Sequence, residues 1–113
     1  VAALGLSFVT GGGFGGTFTE GAFVGQHGSW NRQDIAGYKV VWVPFAAGRP
    51  NGPPVDFVTG FLAGDRARGR PVGVTFDPGK RVLFVADDLS NTVWRIAPRR
   101  APSATTTPVP AVR

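Results

Sequence analysis

Val72-Gly73-Val74-Thr75-Phe76 reads as a second copy of Leu4-Gly5-Leu6-Ser7-Phe8, and the likeness continues in order along the chain. Ala22-Phe23-Val24-Gly25 is matched by Leu83-Phe84-Val85-Ala86, and Val40-Val41-Trp42-Val43-Pro44 by Thr92-Val93-Trp94-Arg95-Ile96. The offset falls from 68 at Gly5/Gly73 to 61 at Phe23/Phe84 and 52 at Trp42/Trp94, so the first copy holds seven extra residues in its first turn and nine in its second. Such insertions lengthen surface turns, where closing a longer loop costs little. An ordered repeat of this kind decides the fold class before any single residue does.

Within each copy the apolar residues are β-branched or aromatic, alternate with small or polar ones, and are interrupted by Gly and Pro, which predicts strands. The candidates are Ala3 to Val9, Ala22 to Gln26, Tyr38 to Phe45, Asp56 to Thr59, Val72 to Phe76, Val82 to Ala86 and Thr92 to Ala97. With 17 Gly and 10 Pro among 113 residues, a helical bundle is excluded. A set of three or four short antiparallel strands that recurs fits a propeller blade better than a sandwich, whose strands do not repeat as sets. The expectation is therefore all-β, with about two blades of a six-bladed β-propeller and no long helix. Residues 1–60 form one blade with a long loop between its second and third strands, 61–100 a second, terminal blade, and 101–113 a disordered Pro-, Ala- and Thr-rich tail. Trp42 and Trp94 are expected at equivalent strand positions. Gly11 to Gly16 is expected as a mobile turn rather than a phosphate loop, because no helix with a Lys-Ser/Thr start follows it.

Two blades do not close a ring, since propellers use roughly four to eight. The chain opens on Val1 and contains no Met, which predicts a piece processed or cut from something longer, whose partners are the remaining blades or other chains. No apolar run approaches the roughly 20 residues of a membrane-spanning helix. There is no Cys, so disulfides and thiolate metal sites are excluded. The net charge of +5 rests on ten Arg and two Lys. Arg66, Arg68 and Arg70 form one cluster, and Arg99, Arg100 and Arg113 another, in the tail. Two local patches rather than a stripe argue against a nucleic-acid partner.

The run Gly21-Ala22-Phe23-Val24-Gly25-Gln26-His27-Gly28-Ser29-Trp30-Asn31-Arg32, followed by Gly37-Tyr38-Lys39-Val40-Val41-Trp42-Val43-Pro44-Phe45, resembles the C-terminal part of the glucose and sorbosone dehydrogenases. Gly69-Arg70-Pro71-Val72-Gly73-Val74 and Val85-Ala86-Asp87-Asp88-Leu89-Ser90-Asn91-Thr92-Val93-Trp94-Arg95-Ile96 resemble the closing part of the same family. The resemblance implies a six-bladed propeller that binds pyrroloquinoline quinone (PQQ), usually with calcium, and oxidises sugars or sugar aldehydes in the periplasm or outside the cell. It also implies that the catalytic His and the calcium ligands lie in earlier blades, so this chain alone is inactive and supplies no catalytic or metal-binding residue.

Parity of an antiparallel blade puts the loop after the second strand and the loop entering the first on one rim. His27 to Arg32, Arg66 to Arg70 and Asp87 to Asn91 therefore share that rim. PQQ carries three carboxylates, which call for forked cations and donors. Arg70, Arg32 and His27 are the candidate cofactor contacts, Arg70 by its place in the family pattern, and Trp30 is a candidate to stack on a flat ring. Asp87 and Asp88 read as an Asx-type turn, because neighbours at a strand end point to opposite sides and no third oxygen ligand is suitably spaced. With a single His, a nucleophilic hydrolase is not expected. Two alternatives stand beside the dehydrogenase fragment: a non-catalytic propeller module that displays loops to a partner, and a chain that assembles several copies into a ring.

Overall fold

Seven segments whose apolar residues alternate with small or polar ones form strands in the computed structural model, which describes residues 2–9, 12–16, 18–28, 37–63, 66–98 and 104–110. They are β1 (Ala2–Val9), β2 (Gly21–Gly28), β3 (Lys39–Ala46), β5 (Val55–Val58), β8 (Pro71–Asp77), β9 (Val82–Asp87) and β10 (Thr92–Pro98). Short strands β4 (Arg49–Pro50), β6 (Leu62–Ala63) and β7 (Arg66–Ala67) fall between them, and β11 (Ala104–Pro110) follows. All pairings are antiparallel, and no described residue is helical. Consequently no helix among the described residues is long and apolar enough to cross a membrane.

The strands make two sheets and a two-stranded hairpin. In the first sheet β2 lies between β1 and β3, while β4 and β5 both pair with the far edge of β3. The second runs β8-β9-β10-β11, and β6 with β7 forms the hairpin on the way to it. The sheets pack through a common core of Val9, Phe23, Val40, Trp42, Val74, Phe76, Leu83, Val85 and Ile96. Close approach depends on Gly5. A Cβ there would collide with the Val72 carbonyl oxygen and come within 2.8 Å of the Gly73 Cα. The Ser7 hydroxyl accepts the Phe76 amide at 3.0 Å, tying the edge strands β1 and β8 together.

Register reproduces the repeat through the first two strands of each sheet. Leu6, Ser7 and Phe8 face Val24, Phe23 and Ala22, as Val74, Thr75 and Phe76 face Val85, Phe84 and Leu83. The third strands break it: Trp42 lies opposite Phe23, whereas Trp94 lies opposite Val85. The two tryptophans are thus not at equivalent positions. A one-residue slip turns a strand's side chains to the other face of its sheet. Trp42 stays with Phe23 on the first sheet's inner face, and Trp94 joins Val85 on the inner face of the second.

Two further expectations are corrected. Residues 104–110, placed by composition in a disordered tail, pair with β10 from Pro98↔Ala104 to Thr92↔Pro110. The run of three Thr favours a strand. Pro108 and Pro110, two residues apart, put their missing N–H groups on one side, as an edge strand tolerates. The glycine-rich turn is anchored rather than mobile over residues 12–16. Phe14 packs against Phe23, Phe57 and Phe76 with ring centroids 5.1–5.8 Å apart, and Arg81 Nε donates to the Gly13 carbonyl at 2.9 Å.

Among the described residues Tyr38, Ala47, Arg81 and Asn91 adopt positive φ without being Gly. Ala47 and Gly48 join β3 to β4 with φ of 52° and 78°, a two-residue turn that demands two left-handed residues. Ala pays for that conformation, and Asn tolerates it better. Ala47→Asn is expected to raise stability by about 0.5–1 kcal/mol in urea unfolding followed by circular dichroism.

Candidate functional site

At one end of the sheet junction, side chains from three strand ends converge. His27 comes from the last turn of pleat in β2, Arg70 from the residue before β8, and Asp88 from the residue after β9. His27 Nε2 lies 3.1 Å from Asp88 Oδ2, and Arg70 Nε donates to Asp88 Oδ1 at 3.1 Å. Asp88 therefore links the two sheets, and the Asp88 amide also donates to the Arg70 carbonyl at 3.3 Å. All three side chains are partly exposed, so this clasp orients groups more than it stabilises the fold.

Beneath it sits Asp87, only 3% exposed and the sole buried charged residue among those described. Its Oδ1 accepts the amides of Arg70 at 2.9 Å, Leu89 at 3.0 Å and Ser90 at 3.0 Å, and its Oδ2 accepts the Trp94 indole N–H at 3.1 Å. Burial alone would raise its pKa. The amides of Arg70 and Ser90, the Ser90 side chain and the Trp94 indole outweigh burial and hold the carboxyl below its ordinary range. This is the Asx-type turn read from sequence, extended by two bonds that pin Arg70 and Trp94. Asp87 and Asp88 point to opposite sides, as expected of neighbours at a strand end.

On the other side of Asp87, Phe61 is buried and meets the Trp94 ring edge-on at 6.3 Å. Its carbonyl accepts the Arg68 amide at 2.6 Å. Gly69 threads between, since a Cβ there would strike Asp87 and Phe61. A shallow pocket of about 180 Å³ opens here, lined by Val58, Thr59, Gly60, Phe61, Arg68 and Trp94. Arg68 lines this pocket, and Asp88 pairs with Arg70 two residues on.

His27 and Arg70, expected on one rim by strand parity, are brought there. Arg32 and Trp30 lie outside the described residues. Sequence reasoning treated Asp88 only as a turn residue and missed that it bridges His27 and Arg70. It also missed the pocket shared by Arg68 and Trp94. The signal for the first was the Asp-Asp pair itself: with Asp87 turned inward, Asp88 had to face the rim. Among the described residues no group of three or more His, Asp or Glu is placed to hold a metal ion.

Comparison with known proteins corrects the family assignment. The family model that matches is described as TrAA12-like and covers residues 1–99. An uncharacterized protein of Borreliella burgdorferi is 34% identical over 98 residues, a match covering 85% of this chain and 26% of that protein. The chain thus spans about a quarter of the length of that relative. No solved structure matches. Nothing in these matches points to the glucose and sorbosone dehydrogenases, which the short runs around His27 and Asp87 had suggested. The chain belongs to the TrAA12-like family.

Proposed function

We propose that the two sheets are blades of a larger β-propeller and that the rim bearing Arg66, Arg68 and Arg70 forms one wall of a site for a planar, carboxylate-rich ligand, with PQQ the ligand of that class. The observation that carries this reading is the clasp of His27, Asp88 and Arg70, which holds a guanidinium at the mouth of the sheet junction through its Nε and leaves the outer nitrogens of the fork for an anion. Arg68 stands beside Trp94 in the adjoining pocket. A pocket of about 180 Å³ is below the roughly 300–1,000 Å³ of a complete ligand site, consistent with further walls from other blades.

When bound, the quinone would accept two electrons from a sugar or aldehyde substrate. The residues of this chain would bind and orient its carboxylates. Arg70 and Arg68 supply charge, and Asp88 fixes the direction of Arg70 and His27. By itself the chain turns over no aldose on this reading.

The test is titration of the purified chain with PQQ, followed by quenching of tryptophan fluorescence. Saturable quenching is expected, weakened at least tenfold by Arg70→Gln, about the worth of one charge-assisted hydrogen bond. Asp88→Asn removes the competing carboxylate and is expected to tighten binding while changing stability by no more than about 1 kcal/mol. Equal binding by all three chains would end the reading.

A further inference from the structure

The chain holds three asparagines, Asn31, Asn51 and Asn91, and only Asn51 is followed by glycine. An asparagine side chain is open to attack at Cγ by the main-chain nitrogen of the next residue. A side chain on that residue shields the nitrogen, and glycine has none. Asn91 has the opposite surroundings: β-branched Thr92 follows it, opens β10 and pairs with Asp87.

The fold leaves the Asn51-Gly52 bond at the surface and out of the sheet. It falls between β4, which ends at Pro50, and β5, which begins at Val55, so no strand pairing holds it. Both residues are exposed. Gly52 sits at φ 121°, and the nearest atom to where its Cβ would stand is Pro44 Cγ, at 3.4 Å. Pro50, Pro53 and Pro54 have no N–H, so Asn51 and Gly52 carry the only amide hydrogens from residue 50 to residue 54. That of Asn51 donates to the Pro44 carbonyl at 2.7 Å. The main chain is thus anchored just before the reactive bond, while Gly52, one residue on, has no place in a ladder.

We propose that Asn51 is a site of spontaneous deamidation, a modification that changes both the charge and the main-chain length of this turn. The Gly52 nitrogen bonds to Asn51 Cγ, its proton passing through water to the side-chain nitrogen, which leaves as ammonia. The product is a cyclic imide spanning both residues. Water then opens it: attack at the former side-chain carbonyl leaves aspartate, and attack at the main-chain carbonyl leaves isoaspartate, with an extra methylene in the main chain. No oxidant or reductant takes part. Either product adds a carboxylate close along the chain to exposed Arg49, and isoaspartate also lengthens the link from β4 to β5. The turn lies toward the end of β3 opposite His27, since Pro44 faces Gly21 whereas Lys39 faces Gln26. The proposal therefore stands apart from the ligand reading of the clasp.

The purified chain, incubated at neutral and at mildly alkaline pH and sampled over days, tests this by intact mass and peptide mapping. A form with OH in place of NH₂ is expected to accumulate at Asn51 ahead of Asn31 and Asn91, faster at the higher pH, and to take up label from water enriched in heavy oxygen. Gly52→Ala keeps the asparagine and is expected to slow its loss about tenfold, a barrier higher by about 1.4 kcal/mol. The wild-type chain unfolded in urea is expected to react within about tenfold of the folded chain, because the turn is outside the protected sheet. Circular dichroism confirms that the variant folds. Should Gly52→Ala fail to do so, the folded and unfolded wild-type chains decide alone. A folded chain that keeps its Asn51 amide while the unfolded chain loses it, faster reaction at Asn31 or Asn91, or a folded Gly52→Ala chain that reacts like wild type would each overturn the proposal.

Discussion

Replacing Asp87 with alanine is expected to cost about 3–5 kcal/mol, measured as the loss of stability in urea unfolding followed by circular dichroism. The carboxylate is 3% exposed and accepts four hydrogen bonds from three segments of chain. Removing it leaves the amides of Arg70, Leu89 and Ser90 and the indole of Trp94 without their acceptor, and each desolvated donor left unpaired costs about 1–3 kcal/mol, partly recovered by water. Asp87→Asn keeps the Oδ1 acceptor but turns an NH₂ toward the Trp94 N–H, so about half the loss is expected.

The same residue sets an acid dependence. Its pKa is lowered in the folded chain, so it contributes stability that is fully present above its unfolded value and is lost as pH falls through the folded value. Wild-type stability is expected to drop below about pH 4, with Asp87→Asn flatter across that window. Parallel curves for the two chains would show that the network does not favour the ionised form.

Gly5→Ala and Gly73→Ala make the second strong test, because the two positions are equivalent in the repeat and opposite in surroundings. At Gly5 the added methyl would collide with the Val72 carbonyl and crowd the Gly73 Cα and Val74 amide, all backbone atoms that cannot rotate aside. Either β1 separates from β8 or the inner edge bends. The expected loss is about 3 kcal/mol or more, with weakened packing of Phe23 and Phe76 visible in aromatic circular dichroism. At Gly73 the methyl enters open space, and a change within about 0.5 kcal/mol is expected in the single chain. Equal losses at both sites would mean that the sheets do not meet through β1 and β8.

Strand identity was legible because it is local. Alternation of β-branched and aromatic residues with small ones placed β1, β2, β3, β5, β8, β9 and β10 within about two residues of their observed ends. Strand parity is local too, and it places His27, Arg70 and Asp88 at one end of the sheets, where they meet. The glycine-rich turn was harder to read. Its composition speaks for mobility, yet Phe14 within it is captured by Phe23, Phe57 and Phe76, which come from distant parts of the chain. The edge strand β11 was missed for a similar reason. Its Thr and Pro residues gain order only from the open edge of β10.

The amino-acid sequence by itself determined the repeat, the strands and the sidedness of their loops, since period-two patterning and turn residues act over a few positions. Tertiary structure alone decided the slip that separates Trp42 from Trp94 and the choice of Asp88 as the common partner of His27 and Arg70. It also decided which of two equivalent glycines is crowded. Each of these depends on how one sheet is set against another, a matter of packing between residues about 60 to 70 positions apart.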